Sequence, residues 1–376
     1  MPKRRTTRGR LLAVASTRNA KQRRIPEGTL RRHESCDPLA QMWPSAVNLQ
    51  TDERLEEVYQ RHLHAERGLA RFYQSGRGYY PPELAGSERD QFAIAIVAVD
   101  GRQFWVGDHE LPFALQSISK IFAYGLALEE HGRETVLKRV GVEPSGDSYR
   151  SIVFDERNKR PFNPMVNAGA LVTTDLIHGN SSSEKLESLL RSFRLHAGND
   201  NLDVDRETFE RELRMADRNR ATAYLMREEG MISGDVETTL ALYLQQCSVH
   251  VTCTDLARMA ATLANGGVNP LTGQRATPRS HVRDVLSVML TCGMYDFAGE
   301  WAYEVGLPAK SAVSGGILCV VPGKGGIGVF SPGLDVFGQS VRGIGVCKEI
   351  SRRMGLHVFA TDEEDVILGS QSAGPA

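Results

Sequence analysis

Residues 111–132 read LPFALQSISKIFAYGLALEEHG. Past the opening residues the apolar positions take helical spacing, Phe122, Leu126 and Leu128 among them, and Gly132 stands where it would stop the helix. At its start lies Ser117-Ile118-Ser119-Lys120, an SxxK tetrad whose i, i+3 spacing sets the Lys120 amine beside the Ser117 hydroxyl. A serine is a poor nucleophile without a neighbouring base, and a lysine made neutral by desolvation can act as one. A helix that begins near Ser117 also turns its unpaired backbone N–H groups toward any anion formed there.

The flanks of this segment are β-like. Upstream, FAIAIVAVDGRQFWVG (92–107) is two β-rich runs joined at Asp100-Gly101, the strongest short-range hairpin signal in the chain. Near the other end, GGILCVVPGKGGIGVFSPGL (315–334) reads as two strands about a glycine turn, followed by a closing helix in SVRGIGVCKEISRRMG (340–355). Residues 51 to 75 carry helical spacing after Thr51, a plausible N-cap. Between about Arg133 and Met294 helix-like segments such as TDLARMAATLANGG dominate. This order predicts an α+β fold, with an antiparallel sheet flanked by helices from both chain ends and a mostly helical second domain. The expected bounds are a basic, disordered extension over 1–45, an α/β domain from 46–120 and 295–360, a helical domain over 121–294, and a frayed tail over 361–376. A cleft between two such lobes is a natural small-molecule site.

Bulk properties narrow the function. The chain has 376 residues, 41% of them hydrophobic, enough for one large or two modest cores. With 45 basic and 46 acidic residues the formal charge is −1, so no overall field favours nucleic acid or an anionic membrane. No window approaches the roughly 20 apolar residues that span a bilayer. Six cysteines lie scattered at 36, 247, 253, 292, 319 and 347 without a CxxC pair or metal-ligand spacing, as expected of reduced, buried thiols in a reducing compartment. The Arg-rich start, MPKRRTTRGRLLAVASTRNAKQRR, has no acidic residue before Glu27, and its apolar run is too short for a secretory core. It resembles a transit peptide or a disordered basic arm, and is read as a disordered extension of a cytoplasmic protein in preference to an organelle signal.

Three further motifs bear on chemistry. A second SxxK, Ser182-Ser183-Glu184-Lys185, sits behind Ser181, where Ser181 and Glu184 look like a capping box, so that copy is structural. Lys310-Ser311-Ala312 precedes the terminal hairpin; in SxxK enzymes a K-[ST]-G strand edge lines the cleft and supplies a cation and a backbone donor. Gly323-Lys324-Gly325-Gly326-Ile327-Gly328 matches GxGxxG, but VFSPG follows instead of a helix, so a hairpin turn is expected in place of a phosphate cradle.

The segments LQSISK, FNPMVNAGAL, ADRNRATAYLM, LYLQQCSVHVTCTDLARMAATLANGGVNPLTG, CGMYDFAGEWAYEVGLPAKSAVSGGILCVVPGKGGIGVFSP and SVRG occur in that order. In this the chain resembles the serine-dependent glutaminases of β-lactamase/transpeptidase-like fold, over roughly Tyr79 to Gly343. The resemblance implies Ser117 as nucleophile and Lys120 as its base, Tyr295 and Tyr80 as tyrosines near the reaction, with Tyr79 a substitute for Tyr80. It further implies Ser117, Asn167, Glu212, Asn219, Tyr243, Tyr295 and Val313 as substrate contacts, Val313 through its backbone N–H. Two departures stand out: KSA at 310–312 where the family has KSG, and GQSV at 338–341 where it has GNSV.

These residue types suit free L-glutamine, whose ammonium needs a carboxylate (Glu212) and whose carboxylate needs neutral donors (Asn167, Asn219, Tyr243). The expected activity is hydrolysis of L-glutamine to L-glutamate and ammonia, with no metal or organic cofactor, in a homodimer or homotetramer. Penicillin-recognising enzymes share SxxK and K-[ST]-G, but they also want S-x-N or Y-x-N, and neither occurs here. A non-catalytic amino-acid sensor on the same scaffold is the rival from another class.

Overall fold

The computed structural model describes residues 53–65, 90–146, 152–155, 157–335 and 337–360. Both expected hairpins form and join one antiparallel sheet. Strands β1 (Ala93–Ala98) and β2 (Gln103–Gly107) turn through Gly101, which holds a left-handed φ of 91°. Strands β6 (Gly316–Val321) and β7 (Gly325–Phe330) form the second hairpin. With β5 (Ala309–Ser311) the order across the sheet is β2-β1-β7-β6-β5, so the two ends of the chain meet along β1 and β7, with Ala93 opposite Phe330. A two-stranded ribbon, β3 (Phe113–Ala114) with β4 (His250–Val251), is a separate sheet, and its Phe113 stacks on Phe330 of β7.

Strands β1, β6 and β7 are buried at every position, which requires cover on both faces. The helices Glu53–Leu63 and Val341–Arg353 pack on each other and on the sheet. The helix Cys253–Ala264, which comes from the middle of the sequence, lies against β1, β6 and β7. It starts in a complete capping box, Thr252 with Asp255.

The glycine-rich run takes its meaning from that helix. Gly323, with φ of 72°, makes the β6–β7 turn. A Cβ on Gly326 would overlap the backbone of Ala257 and Ala261, and one on Gly328 would overlap the carbonyl of Cys253. The motif is thus a hairpin, as expected, and two of its glycines let helix and sheet touch backbone to backbone. Gly328→Val is expected to cost about 3 kcal/mol or more, read as a lowered urea midpoint, because a rigid helix backbone has nowhere to go.

The remaining helices include Ser119–His131, Asn167–Leu176, Arg206–Arg214, Asp217–Glu228 and Val236–Cys247. Their packed faces supply most of one continuous apolar core, with Phe122, Leu171, Phe193, Leu240 and Met259 wholly or nearly buried. The second SxxK opens the helix Ser182–Ala197: Ser181 Oγ accepts from the Glu184 N–H at 3.2 Å. The Glu184 carboxylate, however, accepts from Asn180, one residue earlier than a capping box requires. The five cysteines among the described residues are free and buried; Cys36 lies outside them. No helix among the described residues is long and apolar enough to cross a membrane.

Candidate active site

The strand pair β3–β4 and a hydrogen bond from Leu115 N–H to Val249 O (2.8 Å) pin the chain just before the tetrad. Gln116 then takes a left-handed φ of 50°, unusual for a residue with a Cβ, and opens a 3-10 turn over Gln116–Ile118. That turn feeds the helix Ser119–His131. Ser117 therefore sits at the mouth of the helix with 8% of its surface open, while Lys120, one turn on, is completely enclosed.

Ser117 faces a small cavity with about 60 Å³ open to the centre of a water molecule. Its walls bring together Ser117, Asn167, Glu212, Asn219, Tyr243 and Val313 from six separate segments. Asn167 is at its centre. Its Oδ1 accepts from Lys120 Nζ at 2.7 Å and from the Tyr243 hydroxyl at 3.3 Å, and its Nδ2 donates to Asn219 Oδ1 at 3.0 Å. The loop before it is locked by Asn163, whose side chain accepts from the N–H groups of Met165 and Val166.

Behind this wall lie two buried amines. Lys120 Nζ donates to Met165 O and Asn167 Oδ1, both neutral acceptors. Burial without a carboxylate partner pulls its pKa down to about 7, so a large share is the free base near neutrality. Lys310, the lysine of K-S-A, donates to Ser311 O at 2.7 Å and sits 3.6 Å from the centre of the Tyr295 ring, with Lys120 at 5.6 Å from the same ring. Burial first, and the nearby Lys120 second, push the Lys310 pKa well below the usual lysine value. The expected cleft cation is therefore a fully enclosed amine packed on Tyr295. Burial likewise raises the Tyr243 hydroxyl well above 10 and the Cys247 thiol to about 11, so both stay protonated.

A model of the glutaminase family matches residues 77–359. The chain belongs to this family. A glutaminase of Trichormus variabilis is 58% identical over 280 residues, 74% of this chain and 84% of the relative. One of Clostridium tetani is 47% identical over 282 residues, 74% of this chain and 92% of its own. Among solved structures, the probable glutaminase ybaS shares a TM-score of 0.77 at 35% identity, covering 84% of this chain and 100% of that one. A probable glutaminase of Bacillus subtilis gives 0.73 at 34%, covering 82% and 97%.

Both departures from the glutaminase pattern have a structural setting. Ala312, nearly sealed, forms a tight loop with Gly315 and Gly316 just before β6, donating to Gly316 O at 2.9 Å. Its methyl joins the apolar core instead of entering the cavity wall. Gln339, also sealed, donates from Nε2 to Met294 O at 3.0 Å, the carbonyl just before Tyr295. Tyr295 itself stands at a left-handed φ of 56°, so the long amide of GQSV helps hold a backbone that departs from ordinary geometry.

Of the expected site residues, Ser117, Asn167, Glu212, Asn219, Tyr243 and Val313 share the cavity, and Lys120 and Tyr295 lie behind it. Tyr80 and its substitute Tyr79 lie outside the described residues. Gln116 was not among the expected contacts, yet its Nε2 donates to Glu212 Oε1 at 2.9 Å and fixes that carboxylate against the cavity. Its only signal in the sequence is adjacency to Ser117, since nothing in LQSISK announces a left-handed residue. Cys247 also lines the cavity, one helical turn from Tyr243.

Proposed function

We propose that this chain hydrolyses the side-chain amide of L-glutamine through an acyl-enzyme on Ser117, with Lys120 as base. The observation that carries the reading is the chain of contacts from a buried amine, its pKa drawn down to about 7, through Asn167, to the wall of the cavity onto which Ser117 opens. Ser117 Oγ attacks the amide carbon as its proton passes to Lys120 Nζ, with Tyr295 or Tyr80 assisting. The N–H groups of Ser117 and Val313 receive the oxyanion. The tetrahedral adduct collapses when the amine returns the proton to the leaving nitrogen, and ammonia departs. Water, deprotonated by the same amine, then attacks the ester, regenerating Ser117 and freeing L-glutamate.

At the other end of the substrate, Glu212, oriented by Gln116, receives the α-ammonium. Asn219, through Nδ2, and Tyr243, on releasing Asn167 Oδ1, offer donors to the α-carboxylate. A site that buries such groups rejects molecules lacking the matching head, because unpaired polar atoms are costly. Purified protein is therefore expected to release ammonia from L-glutamine at least tenfold faster than from L-asparagine, whose shorter arm leaves its amide about one methylene from Ser117. A coupled glutamate dehydrogenase assay, run beside nitrocefin, reads this directly. Binding of L-glutamine with no ammonia formed would favour an amino-acid sensor, and nitrocefin turnover a penicillin-recognising enzyme.

A further inference from the structure

Away from the cavity, one group of metal-ligand side chains comes together among the described residues. Glu130 and His131 close the helix Ser119–His131, and His178 follows the helix Asn167–Leu176 by two residues. One carboxylate oxygen and one nitrogen from each imidazole all lie within 4.8 Å of one another. The two rings meet edge to face with centroids 4.2 Å apart.

Two of the three side chains are held by hydrogen bonds. His131 Nε2 bonds the carbonyl of Leu176, which can only accept, so that nitrogen carries the hydrogen. In the neutral ring this leaves Nδ1 with its lone pair bare. The backbone N–H of His178 donates to Glu130 Oε2 at 2.8 Å, fixing the carboxylate. Metal-binding histidines are commonly held in this way, with the second nitrogen on a carbonyl or carboxylate.

We propose that Glu130, His131 and His178 form a site for a divalent transition-metal ion, zinc being the ion that best suits two imidazoles and one carboxylate. Zinc bonds of about 2.0–2.1 Å draw the three atoms closer than they now stand. His178 is the exposed member of the three. Water would complete the coordination.

The position gives the ion a structural consequence. Glu130 stands ten residues, about 15 Å, along the same helix from Lys120. His178 lies past the far end of the helix that Asn167 begins. An ion bridging them clamps together the two helices that carry the reacting amine and its amide partner, without contact with substrate.

The test is calorimetric titration of Zn²⁺ into the full chain, stripped with chelator, beside His178→Ala and Glu130→Gln. The expected result is one site with Kd below about 100 µM, weakened at least tenfold in both variants. Zinc should raise the melting temperature of the parent and not that of His178→Ala. Co²⁺ should give visible d–d absorption in the parent that His178→Ala removes. Turnover of metal-free His178→Ala should equal that of the metal-free parent. Absence of binding up to about 1 mM would overturn the proposal. So would equal affinity in parent and variants, which would put the ion on other residues.

Discussion

Ser117→Ala is expected to lower ammonia release from L-glutamine by at least about 10³-fold, with the fold unchanged. In the proposed route the loss is large because the hydroxyl forms the bond, and neither the buried amine nor the oxyanion donors can replace it. The fold should survive because Ser117 lies at a cavity wall with 8% of its surface open, and removing one oxygen there leaves no void in the apolar core. Circular dichroism and retained L-glutamine binding would separate chemistry from misfolding. Turnover within tenfold of the parent would exclude the acyl-enzyme route.

Replacing Lys120 by Met should separate activity from stability. The base is lost, and kcat is expected to fall roughly 10²–10⁴-fold. In the parent, kcat/KM should fall with pH below about 7, tenfold per unit in the limit, as the Lys120 amine takes up a proton. Stability should move the other way. In the unfolded chain a lysine stays charged up to its ordinary value near 10.4, whereas the folded chain holds Lys120 at about 7. Between those values the unfolded state binds one more proton, so stability rises with pH across that window, and the cost of burying the lysine is greatest below about 7. Met fills the same space without that cost, though it leaves Met165 O without its amine. Lys120→Met should thus unfold at a higher urea concentration than the parent at pH 7, with the gap closing toward pH 10. A variant less stable at pH 7 would show that the amine is held by attraction rather than merely tolerated.

Much of the framework was legible because it rests on periodicity and turn chemistry. The Asp100-Gly101 hairpin, the stop at Gly132 and the terminal hairpin all follow from local residues. The resemblance to the glutaminases supplied the cavity residues that spacing cannot join, since Asn167, Glu212, Tyr243 and Val313 meet only after long connections close. What stayed hidden depends on tertiary approach. Gly326 and Gly328 look like turn glycines until the Cys253–Ala264 helix lies on them. The full burial of Lys310 beside Lys120 has no mark in the sequence. The Gln116–Glu212 bond joins residues 96 positions apart, with no local pattern to mark it.

Among the described residues only Gln116, Lys159 and Tyr295 hold positive φ without being glycine, and two of these three lie beside Ser117 or Lys120. Such conformations cost of order 1–3 kcal/mol each, so the molecule keeps its tension at the candidate site. Heat-resistant descendants would find their cheapest gain by relaxing these two places, for instance with glycine, and would lose aim in doing so. Hardening this protein without dulling it therefore means working on the distant helices and the sheet, and leaving its two bent residues as they are.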